Sequence, residues 1–135
     1  NDSISCDASV TDSYGATETL STSVSIDNTP PVIASISITP NPAYNDNTLT
    51  CQVSSSDDDG QTLTTTYNWT NTTQGTSLGS GATLTLNNSL AKSTDSIECA
   101  VTVMDTSGAT DTATTNLSTC LLSMLNLTSN IKFSL

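Results

Sequence analysis

The chain has 135 residues, with 13 Asp and Glu against two Lys, no Arg and no His, for a net charge of −11. Phosphate binding needs clustered Lys/Arg that release counterions, so this balance excludes a nucleic-acid partner and docking on anionic lipid. It also leaves neither a Ser–base pair nor an oxyanion-stabilising cation, which argues against catalysis. The four cysteines, Cys6, Cys51, Cys99 and Cys120, form no C-x-x-C pair, so zinc is not expected and an oxidising, extracytoplasmic setting is.

Residues 1–26 are the first feature in chain order, and they repeat later. Asp2-Ser3-Ile4-x-Cys6 and Gly15-Ala16-Thr17-x-Thr19 lie over Asp95-Ser96-Ile97-x-Cys99 and Gly108-Ala109-Thr110-x-Thr112. The offset is about 93 residues, without gaps, and about a dozen of the first 26 positions are identical. That period is the size of one small β-sandwich, so residues 1–26 read as the closing hairpin of an upstream module. The hairpin turns at residues 12–15, where Gly15 supplies the left-handed position. Residues 27–31, Asp-Asn-Thr-Pro-Pro, read as a stiff, extended linker that holds successive modules apart.

A complete module is expected over residues 32–118. Val32 to Ile38 reads as its first strand, and Pro40 and Pro42 break it at a sheet edge. The next strand turns Leu49, Cys51 and Val53 inward, and residues 54–61 read as a polar, acidic loop. Leu63, Thr65, Tyr67 and Trp69 share one face of a third strand. Residues 71–81 are rich in Gly, Ser and Thr and suit a short edge strand, followed by an alternating strand over 82–86. Residues 96–104 alternate again, with Cys99 inward, and residues 105–108 turn them into a last strand near 109–117. Two half-buried strands, each with an inward cysteine, and a tryptophan strand between them describe an antiparallel β-sandwich clasped by a Cys51–Cys99 disulfide. By the repeat, the equivalent partner of Cys6 lies upstream, outside this sequence, so that within it Cys6 is either unpaired or bonded to Cys120. No run is long and apolar enough to span a membrane.

Residues 119–135 break the repeat and end in an alternating apolar stretch with the only Phe. Two strands alone cannot bury a face, so the first hairpin needs a complement. An upstream region is the main expectation, and the tail serves as an interface or a lesser donor strand.

These residues resemble a known family. Cys51, Trp69 and Cys99 fall roughly as in immunoglobulin-like domains, and Asp95-x-Ile97-x-Cys99 resembles their Asp-x-Gly-x-Tyr-x-Cys motif, with Ile97 where the tyrosine stands. The stretch from Val101 to Thr110 is similar to the last hairpin of PKD-type domains. Ser56-Asp57-Asp58-Asp59-Gly60 with Tyr67-x-Trp69 resembles the middle of tandem PKD/Ig-like repeats in bacterial and archaeal surface proteins. The likeness extends to about residue 117; the family's Trp-Asp-Phe-Gly-Asp-Gly stretch is absent, and the tail has no counterpart. The resemblance implies an all-β immunoglobulin-like (PKD-like) sandwich serving in surface fibres, stalks and adhesins.

Two kinds of candidate site remain. Asp57 and Asp59, in the acidic turn before Gly60, have the oxygen chemistry that calcium takes, but the full calcium loop is missing and a plain solvated turn is the favoured reading. Asn68, Asn71 and Asn87 begin N-x-Ser/Thr sequons and are the candidate glycosylation positions, with Asn68 expected on the outer face of its strand. The composite expectation is a non-enzymatic structural module of an extracellular fibre, filament or adhesin stalk, whose partners are copies of itself or adjacent modules. The alternative is a carbohydrate- or cell-surface-binding adhesion module, with or without calcium; no other cofactor is expected.

Overall fold

The computed structural model describes residues 2–44 and 46–119; Cys120 and the rest of the tail lie outside the described residues. Strands β1 (Asp2–Thr11) and β2 (Thr17–Ile26) form a two-stranded antiparallel hairpin. Seven further strands follow: β3 (Val32–Thr39), β4 (Thr48–Ser56), β5 (Thr64–Asn71), β6 (Thr76–Ser80), β7 (Thr83–Thr85), β8 (Ser96–Met104) and β9 (Thr110–Ser118). They make a three-stranded sheet, β3-β4-β7, and a four-stranded sheet, β6-β5-β8-β9, with every strand pair antiparallel. This is an immunoglobulin-like β-sandwich, and the fold is all-β.

The core follows from side-chain alternation. Along β8, Ile97, Cys99, Val101 and Val103 point between the sheets and are buried, while Glu98, Ala100 and Thr102 sit on the other face. Leu49 and Cys51 of β4 and Leu84 and Leu86 around β7 answer them from the opposite sheet. Outward positions of β9 are Thr110, Thr112 and Thr114, whose β-branched polar side chains suit an exposed pleated face. Strand β3 departs from simple alternation. A bulge between Ile33 and Ser35 inserts Ala34 without a partner, and this brings Ile33 onto the same inner side as Ile36 and Ile38. Strand β4 also runs further than the expected loop at 54–61, because Ser55 and Ser56 pair with Ile33 and Val32.

The two sheets are joined by the Cys51–Cys99 disulfide, with Cα atoms 6.5 Å apart. Trp69 lies directly across from Cys99 in the β5–β8 ladder and is fully buried. Its indole Nε1 donates to the Gly81 carbonyl (2.8 Å), so the one polar atom of the ring is satisfied inside the core.

The bridge closes a loop of 48 residues, which in the chain-entropy account stabilises the fold by about 4 kcal/mol. A Cys51→Ala/Cys99→Ala double variant is expected to lose about 3–4 kcal/mol in urea denaturation. An unchanged unfolding midpoint would show that the bridge contributes nothing to stability.

Candidate functional site at the linker joint

Both hairpin turns are built in the same way. At the β8–β9 turn, Asp105 Oδ1 accepts the backbone N–H groups of Ser107 (2.8 Å) and Ala109 (2.8 Å). At the β1–β2 turn, Asp12 Oδ1 accepts those of Tyr14 (2.8 Å) and Ala16 (2.9 Å). Gly15 and Gly108 take φ of 88° and 89°, a left-handed conformation that glycine adopts without strain. Each aspartate therefore uses one oxygen to fold its own turn and keeps the other for something else.

In Asp105 that second oxygen is engaged. Asn28 of the linker donates its side-chain amide to Asp105 Oδ2 (2.9 Å). Gln61, at the end of the β4–β5 loop, then ties three segments together. Its Nε2 donates to Asn28 Oδ1 and to Ser107 Oγ, and its Oε1 accepts from the Thr106 N–H (3.1 Å) and hydroxyl (2.7 Å). The Thr29 N–H donates to Asp59 Oδ2 (2.6 Å), and the Ile33 N–H donates to Asp111 Oδ2 (2.8 Å). Pro31 is buried. The linker is thus fastened along its length to one end of the sandwich, which goes beyond the stiff spacer expected from its prolines. A shallow cleft of about 260 Å³ beside it is lined by Asp2, Ile26, Asp27, Asn28, Asp59 and Gln61.

The opposite end of the sandwich carries a second polar cluster. Asp95 Oδ2 accepts from Asn71 Nδ2 (2.8 Å), Gln74 Nε2 (2.6 Å) and the Lys92 N–H (2.9 Å). The Lys92 backbone donor first, then Asn71, hold its carboxyl below the usual carboxylate range despite burial. Thr119 closes the end by donating its hydroxyl to the Lys92 carbonyl (2.7 Å) and its N–H to the Asp95 carbonyl (2.8 Å).

The candidate residues fall out as follows. In the acidic turn, Asp57 Oδ1 accepts the N–H groups of Asp59 (2.9 Å) and Gln61 (3.1 Å), so this carboxylate shapes the loop that presents Gln61. Asp57 Oδ2 is buried without a hydrogen-bond partner, while Asp59 Oδ2 is taken by the linker. Among the described residues no group of three or more His, Cys, Asp or Glu is arranged to hold a metal ion. Asn68 is exposed on the outer face of β5, and Asn87 is exposed with its Oδ1 capping the turn through Ser89 and Leu90. Asn71 is a correction. It is fully buried, and its Nδ2, the atom a glycan would take, donates to the Leu90 carbonyl and to Asp95. In this fold it serves the end cluster, with its amide nitrogen committed to those two acceptors. Gln61, by contrast, carried no sequence signal, because an isolated glutamine in a polar loop looks like any solvated residue. Of the aromatic residues described, Tyr14 stands fully exposed at the tip of the β1–β2 turn, whereas Trp69 belongs to the core.

The Asn28 bond is the largest influence on Asp105; it holds that carboxyl below its ordinary value, with the turn N–H groups adding to it and burial opposing. A depressed folded-state pKa means stability that is present above the unfolded-state value and lost as the pH falls through the folded-state value. An Asn28→Ala variant is expected to raise the Asp105 pKa in an NMR titration of the carboxyl carbons, and to narrow the acid range over which the joint is held. An unmoved Asp105 titration would show that the linker does not engage this turn in solution.

No family model matches this chain, and no curated protein matches it. Among solved structures, the chain is similar to the crystal structure of the PKD1 domain of Vibrio anguillarum Epp, at 20% identity and a TM-score of 0.48, covering 70% of this chain and 99% of that one.

Proposed function

We propose that this chain is a non-enzymatic structural segment of an extracellular fibre, filament or adhesin stalk, in which immunoglobulin-like sandwiches are joined in series. The observation that carries this reading is the joint. A hairpin that duplicates β8–β9 in sequence, register and turn geometry leads through a hydrogen-bonded linker into the far end of a complete sandwich. A linker fastened in this way transmits orientation from one unit to the next, which a stalk needs and a flexible tether does not supply. The disulfide supports a setting outside the reducing cytoplasm. Among the described residues no helix is long and apolar enough to cross a membrane.

The chemistry of the surface supports a mechanical role over a catalytic one. The chain offers carboxylates and hydroxyls without a histidine or an arginine, and several of the described carboxylates are committed to turns and to the joint. On this reading Asp57 and Asp59 serve the loop and the linker, and calcium is not required for folding. Asn68 and Asn87 remain open to glycans in a host that attaches them.

Negative-stain electron microscopy of the full-length polypeptide tests the proposal. The expected result is a rod with a regular spacing of about 45–50 Å, the length of a nine- or ten-residue strand layer plus an extended linker. Compact particles without that spacing would contradict it.

A further inference from the structure

The β1–β2 hairpin has an apolar face that nothing in the described residues covers. Ile4 is paired with Val24, Cys6 with Thr22, Ala8 with Leu20 and Val10 with Glu18, so all eight side chains share one side of the ladder. Ile4, Val10, Leu20 and Val24 are 59%, 68%, 76% and 57% exposed. A shallow groove of about 150 Å³ runs past Ile4, Cys6, Thr22 and Val24, and the exposed Cys6 has no disulfide partner among the described residues. A two-stranded ribbon with such a face is not stable alone in water.

The same molecule shows what covers the equivalent face. In β8–β9 the pairs are Ile97 with Leu117, Cys99 with Thr115, Val101 with Ala113 and Val103 with Asp111, position for position the register of β1–β2. There Ile97, Cys99, Val101 and Val103 are buried against the β3-β4-β7 sheet, and Cys99 is bonded to Cys51 of its central strand. In chain order that sheet precedes the hairpin it covers. Among the described residues, a second copy of this chain has no such sheet to offer, because its own β3-β4-β7 is already covered and its Cys51 is already bonded.

We propose that the apolar face of β1–β2 is covered by a β-sheet formed by the segment of the same polypeptide that precedes Asn1, and that a cysteine on an inner strand of that sheet is disulfide-bonded to Cys6. The inference rests on the serial-array reading and specifies its upstream contact. The sheet presents apolar side chains to Ile4, Ala8, Val10, Leu20 and Val24, as Leu49, Leu84 and Leu86 do in the complete sandwich. The bond forms as the Cys51–Cys99 bond does. Two thiols are oxidised by exchange with a donor disulfide, each losing a proton and contributing one electron; an S–S bond forms between them, and the donor leaves as a dithiol. Asp2 and Asp12 fit the same arrangement, because they occupy the positions of Asp95 and Asp105, and Asp12 already caps its turn as Asp105 does.

The test is disulfide mapping of the full-length polypeptide, secreted through an oxidising compartment. Free thiols are alkylated, the chain is cut with an Asp/Glu-specific protease, since two lysines make trypsin ineffective, and non-reduced peptides are read by mass spectrometry. The expected result is a Cys6 peptide linked to a peptide from upstream of Asn1, and lost as a linked species in a Cys6→Ser variant. Alkylated Cys6, a Cys6–Cys120 link, a Cys6–Cys6 link between copies, or a mature chain that starts at Asn1 would each overturn the proposal. The two readings separate cleanly. Rods in the microscope with Cys6 bonded elsewhere would remove the upstream sheet and leave the array, whereas compact particles with Cys6 bonded upstream would do the reverse.

Discussion

Cys51 and Cys99 face each other from the central regions of two sheets, and the indole of Trp69 fills the space beside their bridge. This arrangement carries an unusual share of the fold, because the chain has few large apolar residues to spend. One tryptophan and one phenylalanine are its largest apolar rings, and the strands are filled out with Ser and Thr. A core this thin gives limited hydrophobic stabilisation, and constraining the unfolded chain across 48 residues offsets the shortfall. The Thr-rich outer faces cost little, since a pleated surface accommodates β-branched side chains and their hydroxyls stay in water.

A second constraint follows from the charge. With a single lysine among the described residues, the carboxylates have almost no cations to pair with, so they are satisfied by neutral donors. Asp12, Asp57 and Asp105 fold turns by accepting backbone N–H groups, Asp95 gathers two side-chain amides and an N–H, and Asp59 and Asp111 take N–H groups from the linker and from the start of β3. These bonds are charge-assisted and directional, and they concentrate at the two ends of the sandwich, where units in series would meet. The acidic surface that keeps such a chain soluble therefore also supplies the fastenings of its joint.

Much of the sandwich's strand layout was legible beforehand because strands such as β4, β5 and β8 bury one face and alternation reports that directly; Ser96–Met104 matches its expected bounds without correction. The hairpin turns were legible for a chemical reason, since Asp followed three residues later by Gly is the requirement of the turn itself. What could not be read depends on where segments meet. The bulge at Ala34 re-aims Ile33 through a register shift that no period reveals. Asn71 carries the N-x-Thr pattern of an accessible sequon, yet it ends β5 on the inner side and is consumed by Asp95, a partner 24 residues away. Gln61 and Asn28 are ordinary loop amides until the fold brings them together at Asp105.

The central claim is that β1–β2 is one half of a sandwich of the kind that β8–β9 completes. Hydrogen exchange on a polypeptide extended upstream by about one repeat measures this most directly, by comparing the β1 amides of Ile4, Cys6, Ala8 and Val10 with those of Ile97, Cys99, Val101 and Val103 in β8. The account predicts protection in β1 within about tenfold of that in β8, because both strands would lie inside closed cores. Exchange in β1 at rates close to those of an unfolded chain, with β8 fully protected, would contradict it.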